Sequence, residues 1–569
     1  MARTELFAAL RAHYRRARHA PTENAGAPGS LSRRSFVGGA LAGLAAWQSG
    51  LASGCTGRDT TRTRHAAGAS ERMVIVGAGL AGLHCAYRLR QAGVEATVFE
   101  ASQRVGGRTF TTAPGTFPDG QLGELGGELI DSSHLTMHAL AQELDIPLHD
   151  LHGKSVGGDV YWVAGRRVTS ALIAGQFAEA APGIAEAASE ASSNPSVMAR
   201  YDATPLSQWL NEHLRGQPEL STVLATAYRG EFGLEPHQQS SLNLLWLLGN
   251  SELGSPALFG DSDERFRSQL GSQAFADRLA AKLSPQIIRD RRLIRAQGDA
   301  QTGYHLTFQD RAGSRYEVQA ELVVFALPFS VLRTVDLREL PLSPLKRSII
   351  EGLGYGTHTK VLSSFERPVW RIDHGASGGM ITDEAVQQLW DTSLGQGGSA
   401  GLLTNFLGGE PGLRSGSMSA EEWVQHATLP LGERLWPGLS DAYRVRSSLR
   451  MHWTGHQFTR GGYACYRPGQ WAWSGSVGLP EAQGTLHFCG EHTSVDHQGF
   501  MEGAAESGAL VAAAVLERSS FTATERHAAL IHLKRAVSQP QLGELVRPHE
   551  WPRRACKYEQ SLQTLLQSA

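Results

Sequence analysis

Met73-Val74-Ile75-Val76 is an unbroken apolar run closed by Gly77, the pattern of a short strand buried on both faces. Over residues 80–92 the apolar positions change to helical spacing and place Ala81, Cys85, Ala86 and Leu89 on one face. Glu95-Ala96-Thr97-Val98-Phe99-Glu100 reads as a second strand. Residues 171–250, rich in Ala, Leu, Gln and Glu, read as helical. Strands return over 286–327, where Tyr304-His305-Leu306-Thr307-Phe308 alternates and Leu322-Val323-Val324-Phe325-Ala326-Leu327 is apolar throughout. Trp423, Leu431 and Leu435 mark a later helix, residues 485–489 a strand, and 501–517 an Ala-rich apolar helix. No internal repeat or heptad pattern interrupts this order.

A helical block set between strand-rich stretches predicts a discontinuous first domain, built from 73–155, 265–333 and 448–518. A second domain of α+β character takes 156–264, the helical insertion, and 334–447. Residues 519–569 are polar, carry Pro540, Pro548 and Pro552, and form an extension to which the pattern assigns no role.

Charge divides the chain differently. The first 72 residues hold 11 Arg, no Lys and 4 Asp or Glu, a net +7, whereas the rest carries 42 basic and 51 acidic residues, a net −9. Within the basic head, Ser32-Arg33-Arg34-Ser35-Phe36-Val37 and the Gly/Ala-rich stretch to Ala46 resemble a twin-arginine export signal. That stretch is too short and too rich in glycine to span a membrane. Leu51-Ala52-Ser53-Gly54-Cys55 resembles a lipoprotein processing site with its apolar residue one place early; plain cleavage beside a chance cysteine is the alternative. Residues 1–55 therefore read as a leader and 56–72 as a linker. The expected location is periplasmic or extracellular, by the twin-arginine export machinery, with membrane contact only through a lipid anchor on Cys55. The near-neutral net charge of −2 argues against bulk electrostatic binding of nucleic acid. Five cysteines in 569 residues exclude a disulfide framework.

The first chemistry-bearing motif is Gly77-Ala78-Gly79-Leu80-Ala81-Gly82, a G-x-G-x-x-G between strand and helix. Gly77 permits the tight turn, Gly79 lets a diphosphate approach the backbone, and Gly82 lets helix and strand pack closely. The helix N-terminus then faces the phosphate charge. Glu100 ends the second strand, where a carboxylate accepts ribose hydroxyl hydrogens and argues against a 2′-phosphate. With strand, helix and acid in register, the motif predicts a Rossmann-like dinucleotide site.

Arg104-Val105-Gly106-Gly107-Arg108-Thr109 follows, directly after Glu100-Ala101-Ser102. Near the other end, Leu486-His487-Phe488-Cys489-Gly490-Glu491 precedes Gly499-Phe500-Met501-Glu502-Gly503-Ala504. These blocks resemble the flavin-containing amine oxidase superfamily, which includes monoamine, polyamine and L-amino-acid oxidases. The resemblance implies an α/β fold in which the first domain is a GR2-type FAD-binding domain and the second binds substrate. It implies that Ala101, Gly107 and Arg108 lie at FAD, that Arg104 lies near the phosphates, and that Glu491, after Gly490, binds the ribityl chain. The backbone around Gly499, Phe500 and Met501, at a helix N-terminus, then meets the flavin ring and favours negative charge there.

Gly356-Thr357-His358-Thr359-Lys360-Val361, ending at Pro368-Val369-Trp370, resembles the segment that carries the family's active-site lysine. The resemblance implies that Lys360 holds a water at the reacting flavin nitrogen, a role suited to a buried lysine whose pKa shifts readily. Trp453 and Arg460-Gly461-Gly462-Tyr463-Ala464-Cys465-Tyr466 resemble the segment beneath the flavin. Where monoamine oxidases bond the flavin to cysteine, this chain has Tyr463, so FAD is expected to be non-covalent. Cys465 would face the same way only in an extended strand. The two tyrosines that flank the amine in monoamine oxidases correspond to Ala464 and Phe500, with Tyr466, Trp471 or Trp473 as candidate replacements.

Glu124-Leu125-Gly126-Gly127-Glu128-Leu129-Ile130-Asp131 resembles the segment passing the substrate side of the ring. Gly126 and Gly127 suit close approach. No arginine is present there to grip a carboxylate, and Glu128 and Asp131 supply negative charge that favours a cationic substrate. Asp131 equally suits a cap for a helix beginning near Ser132. The expected reaction is oxidation of a primary or secondary amine, a cationic amine or polyamine in the favoured reading, with dioxygen or another acceptor taking the electrons. An oxidase of basic L-amino acids, with Arg229 as carboxylate grip, is an alternative. A related desaturase or dehydrogenase is another, and a homodimer is compatible with all three.

Three patterns point elsewhere. Gly375-Ala376-Ser377-Gly378-Gly379 and Gly397-Gly398-Ser399-Ala400-Gly401 match G-x-S-x-G but lack the strand and helix of a hydrolase elbow. His452 and His456 have metal-like spacing without further ligands, and no metal is expected.

Overall fold

The computed structural model describes residues 73–154, 157–249, 258, 262–471, 479–494 and 496–518. The leader with Arg33, Arg34 and Cys55, the linker, Trp473 and the C-terminal extension lie outside the described residues.

In chain order the elements that build the site are β1 (Met73–Val76), α1 (Leu80–Gln91), β2 (Thr97–Phe99), β3 (Leu129–Ile130), α2 (Leu135–Glu143) and β4 (Leu148–Asp150). Next come β5 (Val160–Val163), β6 (Arg166–Val168), α3 (Pro218–Phe232), β7 (Phe266–Ser268), α4 (Gln273–Leu283) and β8 (Ile287–Ile288). A meander of β9 (Arg292–Asp299), β10 (Gly303–Gln309) and β11 (Arg315–Ala320) leads to β12 (Leu322–Phe325). The second half holds β13 (Thr359–Phe365), β14 (Met380–Thr382), β15 (Gln388–Asp391), β16 (Gly401–Leu407), β17 (Tyr443–His452), β18 (Leu486–Phe488) and α5 (Met501–Arg518).

A five-stranded parallel sheet runs β18-β12-β1-β2-β8. Its strands come from three stretches widely separated in the chain. α1 covers it with Leu83, Cys85 and Leu89 fully buried, and Cys489 lies in the same core, so both cysteines act as small apolar residues. Gly82 is required because a Cβ there would stand 2.0 Å from the Gly77 carbonyl oxygen. Gly508 is required for a parallel reason, since its Cβ would lie 2.3 Å from the Ala81 carbonyl oxygen where α5 crosses α1.

A seven-stranded mixed sheet, β17-β13-β16-β15-β14-β5-β6, forms the second layer system, with the helices of 170–249 packed beside it. A small antiparallel sheet, β3-β7-β4, lies between. β17 pairs with β13 through Thr359↔His452 and Val361↔Arg450, so residues 448–452 lie in the seven-stranded sheet. The alternation of β10 is as its sequence suggests, with Tyr304, Leu306 and Phe308 buried and His305 exposed. The helix around Trp423 is continuous but contains a π turn at Val424–Thr428.

Candidate active site

One elongated cavity of about 620 Å³ runs from the C-terminal ends of β1 and β2 to the face of the seven-stranded sheet. Of the residues that the sequence motifs place at cofactor or catalytic positions, Ala78 and Gly82 stand behind its wall and the rest line it.

At one end the wall is main chain. Gly77 sits at φ +108°, and a Cβ there would be 2.6 Å from the Ala326 carbonyl oxygen. Gly79 precedes α1 in extended conformation with nothing within 4 Å of where a Cβ would stand. α1 starts with no side-chain cap and no acidic residue in its first turn, so its leading N–H groups are available to an anion. Glu100 Oε2 accepts the Ala78 N–H at 2.8 Å and Oε1 accepts that of Ser102 at 2.8 Å. This fixes the carboxylate at the end of β2, beside Ala101. Arg104 is held by its own loop: its guanidinium donates to the carbonyls of Val105 (2.8 Å), Thr109 (2.9 Å) and Gly107, and to Gln273 Oε1 (2.7 Å).

In the middle, Glu491 ties three motifs together. It accepts from Arg108 Nη1 at 2.9 Å, from the Gly499 N–H at 2.9 Å and from the Ala464 N–H at 3.3 Å. Gly490 reaches this point at φ +143°. Gly126 and Gly127 cross beside them. A Cβ on Gly126 would meet the Arg108 carbonyl oxygen at 1.8 Å, and one on Gly127 would meet Met501 Cγ at 2.8 Å. Trp453 donates from Nε1 to the Leu125 carbonyl at 3.1 Å.

At the far end the wall is side chain. Lys360 projects from β13 and donates to the Gly126 carbonyl (2.9 Å) and to Glu128 Oε2 (3.0 Å). Tyr463, His358, Phe406 and Trp390 form a continuous ring wall, with successive centroids 4.2, 5.2 and 5.5 Å apart. His358 donates from Nε2 to the Gly230 carbonyl (3.0 Å), and burial lowers its pKa to about 4, so it is neutral at ordinary pH. The Tyr463 hydroxyl donates to the Glu231 carbonyl. The Glu231 carboxyl lines the cavity, raised to about 8 by burial and by Glu264, which is itself held at φ +43° on the same wall. Asp131 completes this acidic end. Its Oδ1 accepts from Ser262 Oγ (3.0 Å) and the Glu264 N–H (2.9 Å), and burial pushes its carboxyl well above the usual range.

The sequence profile of the flavin containing amine oxidoreductase family matches residues 80–516. The chain belongs to that family. A putative L-amino-acid oxidase of Bacillus subtilis is 26% identical over 466 residues, covering 78% of this chain and 94% of that protein. The putrescine oxidase of Kocuria rosea is 26% identical over 485 residues, covering 80% and 97%. In fold, the chain is similar to a putrescine oxidase solved with putrescine bound, at a TM-score of 0.68 and 23% identity over 79% of this chain and 99% of that one.

FAD is the cofactor of this family, and the cavity fits it. The open position at Gly79 and the uncapped start of α1 suit the diphosphate. Glu100 suits the ribose, the Glu491 knot suits the ribityl region, and α5 begins at Met501 beside the ring position. The adenosine end is completed by Leu293, Pro328, Val331 and Thr334, which carry no motif and were invisible in the sequence.

Several amine-oxidase expectations need correction. Arg104 lines the cavity while its guanidinium braces its own loop. Asp131 caps no helix: α2 begins at Leu135 after His134, and Asp131 binds the segment 262–264 while His134 Nε2 lies 3.3 Å from its Oδ2. Glu128 offers no unpaired charge to a substrate, because Lys360 takes it. Arg229 pairs with Glu235 at 2.8 Å and does not line the cavity. Cys465 points to Asn243, away from the cavity, while Tyr463 stands on the wall. Ala464, Tyr466 and Trp471 pack in the core, so none of them supplies a missing cage ring. Phe500 lines the cavity, edge-on to His134 at 5.1 Å.

The remaining patterns have structural partners. Ser377 donates to Asp159 at 2.6 Å, and the Ser399 N–H donates to Asp119 at 2.7 Å. His452 meets Thr359 Oγ1 at 2.7 Å, whereas His456 lies against Trp453, so the two imidazoles face different neighbours.

Proposed function

We propose that this amine oxidase acts on a cationic amine carrying a second positive charge, a diamine or polyamine, and uses dioxygen as acceptor to give hydrogen peroxide. The observation that carries this reading is the Glu231 carboxyl. It belongs to a half-buried residue of the cavity wall, beside Glu264, and has no basic side chain paired with it among the described residues. A carboxyl pushed up by burial and by a second carboxylate loses that cost when a cation arrives. The amino-acid alternative loses its candidate grip, since Arg229 faces Glu235.

FAD, when bound, accepts a hydride from the carbon bearing the amine and later passes the electron pair on. The chain does the rest. Gly126 and Gly127 let the substrate-side strand pass close to the ring position. Tyr463, His358, Phe406 and Trp390 give the aliphatic part an apolar wall and exclude water. Glu231 and Glu264 hold the distal ammonium, and Lys360 presents an N–H donor where proton and oxygen chemistry takes place. The substrate leaves as an imine, which water hydrolyses to a carbonyl compound and an amine or ammonia.

The test is a peroxide assay of purified holoenzyme against diamines, polyamines, monoamines and the L-amino acids. Diamines or polyamines should give the highest kcat/KM. Activity on neutral aliphatic amino acids alone would remove the proposal.

A further inference from the structure

Glu128 is surrounded in a way that a substrate-facing carboxylate is not. Its side chain is 4% exposed. Lys360 Nζ stands 3.0 Å from Oε2, Trp390 Nε1 donates to the same oxygen at 3.3 Å, and Arg267 Nη1 stands 3.7 Å from Oε1. Arg267, on β7 and 7% exposed, is pinned from behind by the carbonyls of Thr392 (2.6 Å) and Leu394 (2.7 Å), just beyond β15. Lys360, also 7% exposed, donates to Glu128 and to the Gly126 carbonyl; two of its three N–H donors are thus directed. Its ammonium lies 5.1 Å from the Trp390 ring centre.

Three desolvated charges in a row, cation–anion–cation, are tolerable only as a set, because removing one leaves another buried and uncompensated. The seven-stranded sheet supplies Lys360 and Trp390, and the small sheet supplies Arg267, so the line also fixes how the two sheets meet at the reaction centre. The other titratable groups around Lys360 add little. Glu124 is pushed up to about 7 by burial and engaged by the Ser272 N–H and Thr111, and His358, just before β13, is neutral.

We propose that Glu128 is a positioning residue for Lys360, anchored by Arg267, and that the reaction centre of this enzyme works with a buried Lys360–Glu128–Arg267 line in place of a lone lysine. The inference rests on Lys360 standing at the reacting atoms, as the family assignment implies, and not on the identity of the amine.

The experiment uses FAD-loaded wild type, Glu128→Gln, Glu128→Asp, Lys360→Met and the Glu128→Gln/Lys360→Met double variant. Neither of its two readouts needs an amine, so its failure is separable from failure of the diamine reading. In thermal unfolding, Glu128→Gln should lower Tm by roughly 5 °C or more, and adding Lys360→Met should recover part of that loss. Additive losses would overturn the pairing. In reoxidation of the dithionite-reduced enzyme by dioxygen, Glu128→Gln should move the alkaline limb of the rate to lower pH by about one unit or more, because a neighbouring anion favours the protonated amine. Glu128→Asp should restore part of the shift. A limb that stays in place while only the amplitude falls would reduce Glu128 to a packing role and overturn the proposal. Should Glu128→Gln not fold, a folded, flavin-bearing double variant supports the pairing, and a double variant that fails equally refutes it.

Discussion

Between Gly77 and Arg108 a ligand in this cavity meets main chain; between Glu231 and Trp390 it meets side chains. The first region needs glycine because backbone must approach backbone. Gly77 stands at φ +108° and a Cβ on Gly82 has no room, while at Gly79 the space is open for the ligand itself. The second region needs no special backbone and is built from side chains that α3, β13, β15 and β16 deliver from far apart in the chain. A main-chain site is local and tolerates little; a side-chain site is assembled at a distance and can be retuned one residue at a time. One cofactor end can in this way serve relatives with different substrates.

The sharpest way to break the comparison is at Gly77. Gly77→Ala places a Cβ against the Ala326 carbonyl in a backbone conformation that L residues rarely adopt, at a cost of about 3 kcal/mol or more. The purified variant should lose most of its bound flavin, read as visible absorbance per protein, and unfold at lower temperature. Full flavin content would show that the main-chain end is more forgiving than its geometry implies.

Glu231→Gln tests the other end and should spare the cofactor. KM for a diamine should rise by about 10-fold or more, since a charge-assisted contact of roughly 1.5–3 kcal/mol is lost, with flavin content unchanged. The pH dependence has a definite sign. The carboxyl is neutral below about 8 and anionic above it, so wild-type KM for a substrate that remains dicationic should fall as pH rises through that value. The variant should lose this limb. An equal pH response in both proteins would move the distal ammonium to another residue.

The smallest effect is expected at Arg229. Arg229→Met breaks a partly exposed pair with Glu235, a contact worth at most about 1 kcal/mol, and should leave KM within about twofold for every substrate. A loss confined to substrates bearing a carboxylate would revive the amino-acid alternative.

These differences also explain what could be read in advance. The G-x-G-x-x-G turn, Glu100 and the Gly490-Glu491 motif are legible because each requires particular residues at fixed local spacing. Glu231 is not, although the neighbouring Arg229 is. The two lie two residues apart on α3, a rotation of about 200° on a helix, so they point to nearly opposite sides, and spacing alone does not say which side is the cavity. The available signal was the context Gly230-Glu231-Phe232 closing a helix whose Val223, Leu224, Ala227 and Tyr228 are apolar, an acid in an otherwise buried stretch. Trp390 and Arg267 have no comparable signal, because their roles depend on partners more than a hundred residues away. Glu128 was legible as an acid at the site but not as a partner of Lys360, since ion pairing across 232 residues leaves no trace in spacing.

The Glu491 knot has a consequence for the order in which this protein is made. Arg108 lies early in the chain, and its partner carboxylate, with the Gly499 N–H that shares it, leaves the ribosome 383 residues later, among the last of the described parts. β18, the edge of the parallel sheet beside β12, is equally late. A nascent chain therefore displays its dinucleotide turn long before it can close the wall opposite. Closing that wall depends on contacts of very long sequence separation, the kind that form slowly. Loss of the segment after Phe488 would leave the most recognisable motif of the protein intact and its cofactor site without one side.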